Sequence, residues 1–219
     1  MSKKTYVFII GAVLTALLLG ACSKPPPGRA SGDSSSTGQD TDGDAIPDAA
    51  EATLGTDPNS PDTDGDGQND LEDQTPVLGA NPIQETSATI GFTLGGLLVE
   101  NNVDAGGADA PDHLEFNVTN TGIVDLTNFD IYYTITDQTT GAVQGYYRTL
   151  PGFTLKAGET QTLHFDNTGM PNHFSVNPNS AFYSNLNGLT LEVTLHVHGF
   201  AVQTGTVNKD PGGAEGGGE

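Results

Sequence analysis

Residues 40–73 read DTDGDAIPDAAEATLGTDPNSPDTDGDGQNDLED, with twelve carboxylates and no Lys or Arg among them. The nearest Lys or Arg on either side is Arg29 or Arg148. Charges this close repel, so such a stretch either stays a solvated coil or gathers a cation that the sequence does not encode. A single cysteine excludes an intramolecular disulfide framework. A hydrophobic content of 35% allows one modest core, and this stretch contributes little to it.

Spacing decides between coil and cation site. Asp40, Asp42, Asp44, Asp48 and Glu51 occupy positions 1, 3, 5, 9 and 12 of a loop, and Asp62, Asp64, Asp66, Asp70 and Asp73 repeat that pattern 22 residues later. Calcium is a hard cation that takes six to eight oxygens, and this spacing wraps one short loop around it. Position 7 adds a backbone carbonyl, from Ile46 or Gln68, and position 12 closes the shell. Gly43, Gly65 and Gly67 allow the tight turns between ligands. A solvated linker needs the charges but not the register, so two calcium ions are expected here. Two positions depart from the pattern. Ala45 stands at position 6 of the first loop, where Gly suits the turn, and Asp73 at position 12 of the second is one methylene shorter than Glu.

Pro47, Pro58 and Pro61 punctuate the stretch and Pro76 follows it, so the long flanking helices of an EF-hand or a dockerin are not expected. The loops and their Leu54-Gly55-Thr56-Asp57-Pro58 connector resemble the bacterial form of the thrombospondin type 3 repeat over residues 40–73. That resemblance implies a segment organised by calcium rather than by a hydrophobic core. Extracellular calcium modules of this kind bind at about 10⁻⁴ to 10⁻³ M, which suits a structural site rather than a sensor.

The N-terminus, MSKKTYVFIIGAVLTALLLGAC, carries Lys3 and Lys4, then an apolar run over residues 6–19. This is the pattern of a secretory signal. Leu19-Gly20-Ala21-Cys22 resembles the lipobox of bacterial lipoproteins, which implies removal of residues 1–21 and acylation of Cys22. Two or more acyl chains make a stable anchor. Ser23 after the cysteine favours the outer membrane or cell surface by that resemblance. Residues 22–39 then form a lipidated Cys and tether, stiff at its prolines and slack in its Gly/Ser part. A formal net charge of -21 excludes ordinary nucleic-acid binding, because no basic surface is available to displace phosphate counterions.

Residues 75–84 read as a linker. Beyond it, alternating apolar runs predict strands near 86–100, 113–120, 125–137, 143–150, 159–165, 189–198 and 201–207. The absence of helix signals points to a mainly β fold, an immunoglobulin-like Greek-key β-sandwich over residues 85–208, with a jelly roll as the alternative. The HLEFNVTNTG and LKAGETQTL stretches, from His113 and Leu155, resemble immunoglobulin-like modules of the cell-adhesion-related (CARDB-like) type. Residues 209–219 read as a disordered tail.

No nucleophile elbow, phosphate loop or HExxH motif is present, so no enzyme is expected. His196 and His198 share one strand face and could hold zinc only if a third ligand such as His164 joined them. The Tyr132-Tyr133 and Tyr146-Tyr147 doublets must each turn one ring outward, where an aromatic platform could sit. The expected function is therefore a membrane-anchored envelope lipoprotein. Its calcium segment presents a sandwich for adhesion, with an unidentified protein or glycan as partner. The alternatives are a structural envelope protein with no specific ligand and, behind it, a metal-dependent hydrolase.

Overall fold

The computed structural model describes residues 38–104 and 106–213, all within one compact unit. The expected signal segment, Cys22, most of the tether and residues 214–219 lie outside the described residues. Among the described residues no helix is long and apolar enough to cross a membrane.

The fold is mainly β. One sheet has the order β1 (Phe92–Leu98), β2 (Leu114–Asn120), β7 (Thr160–Phe165) and β8 (His173–Phe174). The other has the order β10 (Gln203–Lys209), β9 (Leu189–Val197), β4 (Phe129–Asp137) and β5 (Val143–Thr149). A small pair, β3 (Leu126–Thr127) with β6 (Thr154–Leu155), completes the set. Pairing is antiparallel except for β7 with β8.

Period-two alternation explains which face each strand buries. Along β4, Phe129, Ile131, Tyr133 and Ile135 point inward, and along β9 Leu189, Leu191, Val193, Leu195 and Val197 do the same. They meet Phe92, Leu114, Phe116, Val118, Leu163 and Phe165 of the first sheet in one core. Phe165 joins the layers through ring contacts with Phe116 on its own sheet and Tyr133 on the other.

Each expected strand has a counterpart, with local differences. The run expected over 125–137 is cut at Asn128, whose φ of 58° turns a corner. Asn tolerates this left-handed conformation better than most residues. β3 therefore pairs with β6, while β4 enters the second sheet. The run expected over 86–100 begins only at Phe92, and its pairing shifts register between Gly95 and Leu98, where Gly96 takes φ 63°. β10 runs through Lys209, one residue into the expected tail. Lys209 is buried, with its ammonium 3.4 Å from Glu100 Oε1.

Two short helices were not expected, α1 (Asp48–Leu54) and α2 (Ala181–Ser184). Pro47 was read as a breaker, yet it stands at the helix start, where a fixed φ and a missing N–H cost nothing. Gly55 ends α1 at φ 84°, and its amide donates to the Glu51 carbonyl. The helix is too short to make the loop an EF-hand.

Candidate metal centre

The two acidic loops share their backbone hydrogen bonds at positions 1, 3, 5 and 9. At position 1, Asp40 accepts from the Gly43 and Ala45 amides, and Asp62 from the Gly65 and Gly67 amides. At position 3, Asp42 accepts from the Asp44 amide and Asp64 from the Asp66 amide. At position 5, Asp44 accepts from the Ile46 amide and Asp66 from the Gln68 amide. At position 9, Asp48 and Asp70 each accept both the amide and the hydroxyl of the Thr at position 2, Thr41 or Thr63. Asp40, Asp62, Asp48 and Asp70 thus accept on both oxygens, whereas Asp42, Asp44 and Asp64 each spend only one on the backbone.

The carboxylates converge in groups. One oxygen each from Asp40, Asp42 and Asp44 lies within 4.8 Å of the others, and the same holds for Asp62, Asp64 and Asp66. A third group joins Asp44 and Glu51 of the first loop to Asp70 of the second. Asp48 and Asp73 stand outside these groups. Asp48 is held by Thr41, and Asp73 sits close enough to Asp64 to raise its pKa. Ile46 and Gln68 follow position 5 in both loops, Ile46 buried and Gln68 exposed.

Asp42 Oδ2, Asp44 Oδ2, Glu51 Oε2, Asp64 Oδ2 and Asp73 Oδ2 are buried with no hydrogen-bond partner among the described residues. Leaving a buried carboxylate oxygen unsatisfied is costly, and these fall at positions 3, 5 and 12 of one loop and 3 and 12 of the other. An all-oxygen donor set with unsatisfied faces fits a hard cation. The acidic clusters can hold metal ions. Burial, then Asp42 and Asp44 nearby, pushes the Glu51 carboxyl up to about 7. Burial, with Asp66, Asp73 and Asp62 beside it, pushes Asp64 up to about 6.

This centre is fastened to the free edge of β5. The Tyr147 amide donates to the Asp64 carbonyl at 2.7 Å, and the Arg148 guanidinium donates to the Thr63 carbonyl. Residues 77–79, part of the expected linker, run alongside. The Gly145 amide donates to Val77 and the Gly79 amide to Gly145. A Cβ at Gly65 would lie 2.2 Å from the Tyr147 carbonyl oxygen, so the approach requires glycine there. Asn177 and Asn179 hold the α1 end, donating to the Gly55 and Thr56 carbonyls at 2.7 Å each.

The other expected sites are placed as follows. Tyr133 and Tyr146 are buried, and Tyr132 and Tyr147 face outward as a cross-strand pair. That pair is not an open platform. Tyr132 donates to the Gly79 carbonyl and Tyr147 to Asp130. The zinc set of His164, His196 and His198 does not assemble, because His164 lies on β7 in the first sheet and His196 on β9 in the second. His196 is engaged with Asp130 at 2.6 Å.

No family model matches the chain, and no curated protein matches it. Among solved structures it is similar to a β-glucuronidase 2 of Bacteroides uniformis, at 16% identity and a TM-score of 0.29 over 56% of this chain and 13% of that one. It is also similar to the alkylpurine DNA glycosylase AlkC of Pseudomonas fluorescens, at 17% identity and a TM-score of 0.29 over 55% of this chain and 31% of that one. A third is Spo0M, a sporulation control protein of Bacillus subtilis, at 12% identity and a TM-score of 0.28 over 54% and 48%. The chain spans less than half the length of each of these neighbours.

Two measurements follow from this geometry. Ala45 takes φ 79° where the second loop has Gly67 at φ 96°. A left-handed conformation costs a non-glycine residue roughly 1–2 kcal/mol, so Ala45→Gly is expected to stabilise the protein by about that amount in chemical denaturation. The second concerns protons. The raised Glu51 and Asp64 values mean that the ion-free loops are stabilised below the ordinary carboxylate range and lose that stabilisation as pH rises through about 6 to 7. A divalent cation must displace those protons. Its affinity is therefore expected to strengthen as pH rises from 5.5 to about 7, with proton release detectable by calorimetry in buffers of different ionisation enthalpy. A flat affinity over that range would contradict the burial of these carboxyls.

Proposed function

We propose that this protein is a cell-envelope lipoprotein, anchored through acyl chains on Cys22, whose acidic loops bind calcium and present a β-sandwich for adhesion to a protein or glycan. The role is binding rather than catalysis. The observation that carries the reading is the set of five buried carboxylate oxygens unpartnered among the described residues, four of them at matching positions 3 and 12 of the two loops. Calcium is preferred over magnesium because the donors are many and all oxygen, whereas magnesium demands a tight octahedron and keeps its waters. The ligands proposed are Asp40, Asp42, Asp44 and Glu51 with the Ile46 carbonyl in the first loop. In the second they are Asp62, Asp64, Asp66 and Asp73 with the Gln68 carbonyl. Asp48 and Asp70 brace the loops through Thr41 and Thr63, and Asp70 also leans toward the first site.

The strand orders support the immunoglobulin-like Greek-key reading. β1, β2 and β7 face β5, β4, β9 and β10, and the chain changes sheet between β2 and β4, between β5 and β7, and between β8 and β9. One observation favours the alternative of a structural envelope protein with no specific ligand: the outward tyrosines are engaged by the chain itself.

Calorimetric titration of calcium into the chelator-stripped protein tests the reading. Saturable binding of about two ions is expected at the roughly 10⁻⁴ to 10⁻³ M typical of extracellular modules. Glu51→Gln is expected to weaken one site and Asp64→Asn the other. No binding up to several times 10⁻³ M would leave a solvated acidic run and overturn the proposal.

A further inference from the structure

A second cluster of metal-ligating side chains lies on the opposite sheet from the acidic loops, and its donors are of another chemical type. His113 and Glu115 are two residues apart at the start of β2, so they share a face. The β2–β7 register sets Glu115 directly opposite His164, and the β7–β8 register sets His164 opposite His173. Leu114, Phe116 and Phe165 fill the core, so these four polar residues stand together on the outer face. His113 Nε2 is 2.9 Å from His164 Nδ1, and Glu115 Oε2 is 3.3 Å from the same nitrogen and 3.8 Å from His113 Nε2.

The protons explain why this is more than a hydrogen-bonded pair. His113 Nδ1 is 2.7 Å from the Pro111 carbonyl, which only accepts, so Nδ1 carries the proton. Nε2 of the neutral ring then offers a lone pair. His164 Nδ1 has a single proton at most, and both that lone pair and a Glu115 oxygen compete for it. Three lone-pair donors therefore converge on a space that one proton fills poorly. A carbonyl fixing the ring of a histidine is also the usual outer support of a metal ligand. His173 stacks flat on the His164 ring, centroids 4.4 Å apart, and is itself held by Asp166 at 2.8 Å. That stack fixes the second imidazole. The cluster forms one wall of a cleft of about 930 Å³ that also includes Asp109, Met170 and Tyr183.

We propose that His113 Nε2, His164 Nδ1 and Glu115 bind a divalent transition metal of the zinc type, with the remaining coordination position open to this cleft. Two imidazoles and one carboxylate suit zinc rather than calcium, so the two kinds of centre on this protein select different ions. Three protein ligands with an open side leave room for a water or an oxygen donor from a bound molecule. The site is independent of the calcium reading, since it shares no residue with the acidic loops.

The test is calorimetric titration of Zn²⁺ into the protein with calcium in large excess, which occupies any oxygen-only site. One saturable zinc site is expected. His164→Ala is expected to weaken it by more than the roughly 10- to 100-fold that loss of an outer-shell partner costs. Glu115→Gln keeps the shape and the hydrogen-bonding reach, so it guards against a folding defect and is expected to weaken zinc as well. His196→Ala is expected to leave zinc binding unchanged. Nuclear magnetic resonance of the histidine rings gives a second readout, with the His113 and His164 signals shifting on zinc addition and those of His196 and His198 staying still. Absence of zinc binding, or zinc binding unaltered in both His164→Ala and Glu115→Gln, would overturn the proposal.

Discussion

The structure depends on how a run of carboxylates is neutralised. Each acidic loop ties its Asp side chains to its own backbone amides, which sets the turn, and at Asp42, Asp44 and Asp64 this leaves the second oxygen unpaired. With Glu51 and Asp73, five carboxylate oxygens of the segment are buried without a partner among the described residues. In a medium that screens charge poorly, such oxygens must either take up protons or receive a cation. The raised values of Glu51 and Asp64 are the first response, and the oxygen geometry is suited to the second.

That local requirement is joined to the fold through one strand. β5 is the edge of its sheet, and an unpaired edge is a template for unwanted pairing. Here the edge is covered by the chain itself, through Asp64 on Tyr147, residues 77–79 on Gly145, and Arg148 on Thr63. The backbone that presents the second loop also completes the sheet, so anything that loosens the loop exposes the edge. Arg148 is the first Lys or Arg after the acidic run, and it donates to that run's backbone instead of pairing with a carboxylate. The carboxylates are left for another partner.

Much of this was legible in the sequence where a short period carries the information. The position 1, 3, 5 spacing brought Asp40, Asp42 and Asp44 together, and Asp62, Asp64 and Asp66 likewise. Strict alternation in 189–198 and 129–135 marked the inward faces of β9 and β4. What was missed depended on conformation or register. Pro47 looked like a break because its permitted place at a helix start is visible only once α1 is seen. Asn128 looked like part of a strand because nothing in its neighbours announces a positive φ. The contribution of Asp70 to the first loop, the docking on β5 and the meeting of His113, Glu115 and His164 all join residues far apart in the chain. The His113–Glu115 spacing was a partial signal, but only the β2–β7 register shows that His164 lies opposite.

The protein thus carries two polar centres of different chemistry on opposite sheets, an oxygen-only one fastened to the β5 edge and a histidine-rich one on the β2–β7 face. On the proposed reading, a cation at the first decides whether residues 40–79 and β5 behave as a unit. Hydrogen–deuterium exchange with calcium and with chelator tests this most directly. If a cation organises the segment, calcium is expected to slow exchange together at the loop amides that bond Asp40 and Asp62 and at the Gly145 and Tyr147 amides on β5. Equal protection of both regions in calcium and in chelator would contradict it, because the carboxylates would then need no ion to hold the segment on the sheet.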